Sequence, residues 1–419
     1  MREKITDILK KSFKLYGYNP METSILEYYD IAANKYAGGA EVLKETYRLK
    51  DQGERDLCLR YELTFKFAKI VGTNKGIALP IKRYEIGKVF RDGPVKSGRA
   101  REFTQCDVDV VGIKSAVVDA EFTALIKLAF SQLGIPIRIK LNNKKLLFAI
   151  FESAGVPAEK FIDCAISIDK LEKIGRVGVM DEMLQKGVQK SCCEEVFKIV
   201  DGCEDIRDSF ERLNYLTSKI GENDGLGELT ELLRFTKSFG TYDLVDFTPN
   251  LSRALGYYSG SFWEVYAVKN AVKSSLAAGG RWDGMINKMF GGKTQYPACG
   301  MSFGLDALYA AVKEGASGKF IKRKDICPVL LIVPIDTDGD CVRFADLARR
   351  YGVKSELWVQ GGVKKALEYA DRRKIPFVGV IGSREAACSM VNLKDMSSGS
   401  SENVEWKDAV FKLRRVRWR

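Results

Sequence analysis

Ile5, Ile8, Leu9, Phe13 and Tyr16 recur at three- and four-residue intervals, which predicts an amphipathic helix over residues 1–16 that Gly17 stops. Between Tyr47 and Gly112 the pattern shortens to strand-like runs, Leu57–Tyr61, Ile81–Phe90 and Phe103–Val111, with a helix over Glu62–Val71. Ser115–Leu133 reads as another helix and Ile137–Leu141 as a strand. Residues 163–240 are helical and charged throughout, as in Leu226–Phe239, and read as an inserted helical module. Strand text returns at Tyr257–Val268 and Met301–Gly304, and a helix begins near Leu305. Adjacent strands with separate helices predict an α+β domain on an antiparallel sheet, its two parts at residues 1–162 and 241–317. Past the charged linker Lys319–Asp325, strand and helix alternate through Val329–Val333, Asp340–Tyr351, Ser355–Val359, Val363–Arg373 and Phe377–Ile381. That alternation predicts a small parallel α/β domain over residues 326–419, with Met396–Ser401 as a loop.

Composition narrows the chemistry. The 419 residues are 46% hydrophobic and 29% charged, the balance of an ordinary folded protein. No run approaches the roughly 18 apolar residues of a membrane span, and the Lys- and acid-bearing first segment lacks the apolar core of a signal peptide. Ten Cys without a CxxC, the only adjacent pair being Cys192 and Cys193, fit a reducing compartment, so a cytoplasmic protein is expected. With no His at all, Ser-His and Cys-His nucleophiles, an imidazole base and imidazole zinc sites are excluded. The net charge of +12 favours an anionic partner, of which nucleic acid is the commonest large kind.

Gly291-Gly292-Lys293-Thr294 resembles the end of a phosphate loop, but no hydrophobic strand precedes it and Asn287 stands where the first Gly belongs, so it reads as a turn. The denser constellation runs from Tyr84 to Gly112. A two-residue period puts Thr104, Cys106, Val108 and Val110 on one face of the second strand and Phe103, Gln105, Asp107 and Asp109 on the other. In the first strand Glu85, Gly87, Val89 and Arg91 share a face, and Gly87 leaves space for a ligand beside Arg91. Lys96, Arg99 and Arg101 crowd the connecting loop. This pattern fits a ribbon with one solvated face; it also fits a pocket for polyphosphate at one end and an amine or azole at the other.

Phe90-Arg91, Gly98-Arg99 and Arg101-Glu102-Phe103 leading to Gln105 resemble motif 2 of the class II aminoacyl-tRNA synthetases, and specifically of the histidyl-tRNA synthetase family. Leu59-Arg60-Tyr61-Glu62-Leu63-Thr64 is similar to that family's amino-acid-binding segment. Arg253-Ala254-Leu255-Gly256-Tyr257-Tyr258 resembles its first histidine signature, and Ala277-Ala278-Gly279-Gly280-Arg281-Trp282-Asp283-Gly284 its second, usually with Tyr in place of Trp282. Gly300-Met301-Ser302-Phe303-Gly304-Leu305 resembles motif 3, and Val329–Arg415 the anticodon-binding domain. The motifs cover nearly the whole chain in order.

The resemblance implies ATP-dependent attachment of L-histidine to tRNA(His) through a histidyl-adenylate, with Mg²⁺, no protein-held metal, and a homodimer paired through the motif 1 region. It implies that Arg91 binds the ATP α-phosphate, Arg99 the outer phosphates, and Arg253 the substrate carboxylate and α-phosphate. Glu62, Thr64 and Gln105 would hold the amino group, Asp109 and Tyr258 the ring nitrogens, with Tyr257 beside them. The departures are Asp306-Ala307 where motif 3 carries Glu-Arg, Gly256 for Asp, and Ala254 and Ala100 for Gly and Tyr. Arg99, Lys96 and Arg281 are the cations left to replace the motif 3 arginine. The alternative is a synthetase paralogue with impaired catalysis that regulates by binding histidine or tRNA; Ala307 favours it, whereas Arg91, Arg99, Gln105, Arg253 and the C-terminal domain favour the enzyme. Lys364, Lys365, Arg372, Arg373, Arg414, Arg415, Arg417 and Arg419 are expected to form part of a tRNA-facing surface, or else solvated helix faces.

Overall fold

The structure is a computed structural model that describes residues 1–33, 43–74, 76–94, 100–252, 258–268, 272–291, 294–315 and 329–415. It divides into two compact units, Met1–Phe320 and Ile321–Arg419.

In the first unit β1 (Asn19–Pro20) lies at the edge of the main sheet, while β2 (Leu26–Tyr28), β3 (Arg48–Lys50) and β4 (Asp56–Leu59) form a small antiparallel sheet of their own. The main sheet continues with β5 (Ile81–Phe90), β6 (Glu102–Val111), β7 (Ile137–Asn143), β8 (Val245–Phe247), β9 (Ser261–Ala267), β10 (Ala277–Arg281) and β11 (Ala298–Gly304). Their spatial order is β1-β5-β6-β11-β10-β9-β7-β8. The expected antiparallel pairing holds through the centre; the edge pairs β1–β5 and β7–β8 are parallel.

One face of this sheet is apolar. Cys106, Val108 and Val110 of β6 join Phe303 of β11 and the buried stripes of helices Arg2–Leu15 and Ala116–Leu133 in a single core. Helix Ala116–Leu133 starts where the Ser115 hydroxyl accepts from the Val117 N–H and ends at Gly134, whose φ of +69° only glycine adopts without strain. The span read as an inserted module contains helices Phe161–Ile168, Leu171–Gln185, Lys190–Asp201, Ser209–Ile220 and Asp224–Ser238, the second of them broken at Gly175. Asp208 and Asn223 cap the last two. Their buried residues, Leu213, Leu229 and Leu232 among them, belong to the same core as the sheet. The sequence Gly291–Thr294 follows helix Met285–Phe290 rather than a strand, with Gly292 and Lys293 outside the described residues.

The second unit contains β12 (Leu330–Pro334), β13 (Ser355–Leu357), β14 (Phe377–Ile381), β15 (Met390–Asp395) and β16 (Ser401–Glu405), in the order β13-β12-β14-β15-β16. The first three pair in parallel, as the alternating pattern predicts. The reading missed β15, β16 and helix Trp406–Arg415; β16, Ser401–Glu405, is exposed and polar and so carries no hydrophobic period. Successive β12 residues feed two cores, Leu330 and Ile332 on the side of Leu413, Leu331 and Val333 on the side of Ala366 and Ala370. The expected cationic surface is therefore split: Lys364, Lys365, Arg372 and Arg373 are exposed on the helix over one sheet face and Arg414 is exposed on the helix over the other. Arg417 and Arg419 lie outside the described residues.

Candidate active site

The site is built on the polar face of the main sheet. Antiparallel register sets its side chains in rows: Arg83–Asp109–Gly300–Gly280–Phe262, then Glu85–Asp107–Ser302, then Gly87–Gln105–Gly304. Directly opposed residues point to the same side, so each row crosses the sheet on one face. A Cβ at Gly300 would lie 1.9 Å from Asp109 Oδ1, so only glycine lets that carboxylate rest on β11. Tyr258 stacks on Phe262 at the far end of the first row, with ring centroids 5.6 Å apart and Gly300 and Gly280 between it and Asp109.

The segment before helix Thr64–Thr73 closes over this face. Thr64 Oγ1 stands 3.4 Å from Asp107 Oδ2 and 3.5 Å from Asp109 Oδ1. Glu62 comes near the same carboxylates: burial raises its pKa to about 8, Asp107 adds to the rise and Arg91 opposes it. Burial also raises Asp107 to about 6 and Asp109 to about 7, in each case against the pull of the Arg83 guanidinium. Arg91 lies over the rings of Tyr61, at 4.1 Å, and Phe103, at 5.0 Å, which fixes its cationic head at the mouth of the hairpin. Among the described residues Glu62 Oε1, Gln105 Oε1, Asp107 Oδ1 and Arg91 Nε are buried polar atoms without a hydrogen-bond partner. A folded chain rarely leaves so many buried acceptors and donors unpaired in one place unless a ligand completes them. The acceptors suit an ammonium group and the arginine suits an anion.

The structure thus brings together Glu62, Thr64, Arg91, Gln105, Asp109 and Tyr258 on one face of one sheet. Arg99, Arg253, Tyr257 and Lys96 lie outside the described residues. Two readings are corrected. The space over Gly87 is not open to a ligand: a Cβ there would lie 2.3 Å from an Nη of Arg60, which donates to Glu85 Oε1 at 2.9 Å, the Lys88 carbonyl at 2.7 Å and the Thr23 carbonyl at 2.8 Å. Gly87 is needed to admit that guanidinium. Arg281 does not substitute for the motif 3 arginine either, because it sits in register with Cys299 and Val110 on the apolar face and is bound there by Asp119, with Nη2 2.5 Å from Oδ2. At motif 3 itself Asp306 pairs with Arg2 and accepts from the Thr104 N–H at 3.1 Å, while Ala307 packs against the core.

Sequence reasoning missed Arg83 and gave Asp107 no role. Extending the two-residue period of β5 back from Glu85 puts Arg83 on the same face, and the hairpin register sets it opposite Asp109.

A mostly antiparallel sheet with unsatisfied polar groups on one face and helices on the other has the form of the catalytic core of the class II aminoacyl-tRNA synthetases. The family model for histidyl-tRNA synthetase matches residues 1–308, and that for the anticodon binding domain residues 330–415. The chain belongs to the histidyl-tRNA synthetase family. It is 39% identical over 411 residues to histidine–tRNA ligase 1 of Bacillus cereus, covering 96% of this chain and 93% of that protein. It is 37% identical to histidine–tRNA ligase 2 of Shouchella clausii, covering 94% and 92% of the two chains. The crystal structure of histidyl-tRNA synthetase from Nostoc shares the fold, with a TM-score of 0.77, 24% identity and coverage of 99% and 95%.

Proposed function

We infer that this chain is a histidine–tRNA ligase, which joins histidine to ATP as an adenylate and then passes the histidyl group to tRNA. The observation that carries the reading is the unpaired buried set, Glu62, Gln105, Asp107 and Arg91, gathered on the polar sheet face beside Asp109. Glu62 and Gln105 offer their free oxygens to the α-ammonium group, with Thr64 beside them. Asp109, and Tyr258 across the two glycines, bracket the ring. Arg91 meets the α-phosphate, and Arg99, Arg253 and Tyr257 belong to the same reading by their motif positions.

The reaction then needs no protein base, which suits a chain without histidine. The substrate carboxylate is already ionised at neutral pH; it attacks the α-phosphorus while pyrophosphate leaves, and the protein supplies alignment and fixed positive charge. Mg²⁺ would arrive on the triphosphate and neutralise its charge there. A side chain without ring nitrogens would leave Asp109 Oδ2 without a hydrogen-bond donor, a strong basis for rejecting it. A homodimer and a cytoplasmic location are part of the proposal; β2–β4 expose Leu26, Tyr28 and Leu49, and no described helix is long and apolar enough to cross a membrane.

ATP–pyrophosphate exchange with each of the twenty amino acids tests the reading. Exchange with histidine alone is expected. Silence with all twenty, together with retained tRNA binding, would sink it in favour of a binding protein.

A further inference from the structure

On a strand, residues four apart on one face are about 13 Å from each other, and the residue midway lies between them. A ligand that reaches from Gln105 to Asp109 therefore crosses Asp107, and the charges around Asp107 and Asp109 decide what crosses. On β5, Glu85 faces Asp107 but is already neutralised: it accepts from Arg60 at 2.9 Å and from the Thr23 N–H at 3.0 Å and hydroxyl at 2.9 Å. From the segment above come Glu62 and the Thr64 hydroxyl; from β11 comes Ser302, and Trp282 lies beside Asp109. Among the described residues, buried Tyr18, Tyr61, Cys106 and the Arg91 guanidinium also sense these carboxylates or Glu62. Arg83 is thus the cation among the described residues that meets Asp109, 2.8 Å from Oδ2, and that acts through its charge on Asp107 beside it.

Its placement is unusual for a buried arginine. Arg83 is 1% exposed, and its guanidinium lies 4.9 Å from the Phe67 ring centre. Nη2 is 2.8 Å from Asp109 Oδ2 but off the N–H axis, and Nη1 is 3.7 Å from Glu85 Oε2, so none of its three nitrogens makes a hydrogen bond. A structural arginine would be bound at both edges, as Arg281 is.

We propose that Arg83 is a specificity-determining positioning residue of the amino-acid slot, holding Asp107 and Asp109 side by side as carboxylates for a ring with two nitrogens. The inference rests on the reading of the chain as a histidine ligase. With Arg83 in place and both carboxyls ionised, the trio carries one net negative charge and accepts a single cationic or N–H-rich ring. Without it two carboxylates face each other in a buried site, and one takes up a proton and ceases to be an acceptor. An apolar amino-acid side chain would leave the trio's excess negative charge without solvent or a donor, so the same trio that admits the azole rejects the hydrocarbon.

The test compares wild type, Arg83→Met and Arg83→Lys in histidine-dependent exchange between pH 5.5 and 8.5, with thermal unfolding as a check of folding. Arg83→Met should raise the KM for histidine at least tenfold at pH 7 and leave the KM for ATP unchanged. It should also move the acid limb of kcat/KM for histidine upward by about one pH unit, since a carboxylate that loses its cation holds its proton longer. Free histidine titrates identically in every assay, so the difference between variants belongs to the protein. Arg83→Lys keeps the charge but not the flat contact with Phe67; the acid limb should stay in place while the KM for histidine rises. If Arg83→Met does not fold, that split in Arg83→Lys still decides the matter. Wild-type exchange with variants that match it in both KM and pH profile would overturn the role of Arg83 and leave the ligase reading intact. A wild type that neither exchanges nor binds histidine in calorimetry would remove both.

Discussion

Arg83 and Arg281 are buried in the same sheet and each is paired with an aspartate, yet they sit on opposite faces and in opposite states. Arg281 donates from Nε to Asp119 Oδ1 at 3.1 Å, from Nη2 to Asp119 Oδ2 and to the Ser115 carbonyl at 3.1 Å, and from Nη1 to the Ile113 carbonyl at 3.2 Å. Arg83 touches Asp109 without an aligned bond. The first pair ties helix Ala116–Leu133 to the sheet and is complete. The second is incomplete in a place where the neighbouring acceptors are incomplete too. Charge burial alone therefore does not mark the candidate site in this fold; the gathering of several unmet polar groups on one sheet face does.

The largest effect should come from breaking the complete pair. Arg281→Met strands the Asp119 carboxylate in a core and should cost about 3 to 5 kcal/mol of stability, read as a shift in the urea midpoint. Adding Asp119→Leu should restore much of that loss, because the double variant buries no lone charge. If the single variant is as stable as wild type, the pair is not the clamp described here. On the polar face the reverse is expected. Arg91→Ala should leave stability nearly untouched while lowering histidine-dependent exchange about a hundred- to a thousandfold, the scale for removing one donor from a developing charge. A large loss of stability with little loss of rate would interchange the roles of the two faces.

Much of this contrast could be read along the chain, and the part that could not has a physical cause. The alternation in β6 separates Cys106, Val108 and Val110 from Gln105, Asp107 and Asp109 without knowledge of neighbours, and both faces stand as read. The function of Gly87 depends on what approaches it from outside the hairpin, and Arg60 comes from a segment 27 positions earlier. Arg281 was misplaced for a related reason. Its motif, Gly279-Gly280-Arg281, suggests a ligand-facing cation, but parity within β10 turns residue 281 to the side opposite residue 280. In the second unit the hydrophobic period found every parallel strand and lost β15, β16 and helix Trp406–Arg415, β16 being an exposed polar edge.

A smaller effect tests the end of the polar face proposed for ATP. Ala307 lies just past β11 at the start of helix Leu305–Gly315, where the family has an arginine. Ala307→Arg should lower the KM for ATP by about tenfold in exchange and leave the KM for histidine unchanged, within the range for one charge-assisted phosphate contact. An unchanged KM for ATP would show that other cations already saturate the outer phosphates.

The last effect is the most diagnostic, because it reads the polar face without any substrate chemistry. Glu62, Asp107 and Asp109 have pKa values raised to about 8, 6 and 7 by burial, whereas unfolded carboxyls titrate near 4. The folded state then binds more protons than the unfolded state between these limits, so stability must fall as pH rises through the window from 5 to 8. Carboxylates held low by partners act elsewhere: Glu182, lowered to about 2 by hydrogen bonds from Lys170 and Lys186, loses its contribution only as pH falls below about 4. A chain without histidine has no imidazole to titrate between 5 and 8, which leaves the slot carboxyls as the main source of any slope there. The melting temperature of the free protein should fall from pH 5 to pH 8. Saturating histidine should recover more of that drop at pH 8 than at pH 5, since its ammonium group pairs with an ionised Glu62. Glu62→Gln should flatten the upper half of the slope and abolish the recovery together. A melting temperature that stays level across the window, or a slope that Glu62→Gln leaves intact, would mean that these carboxyls are not the strained groups of the polar face.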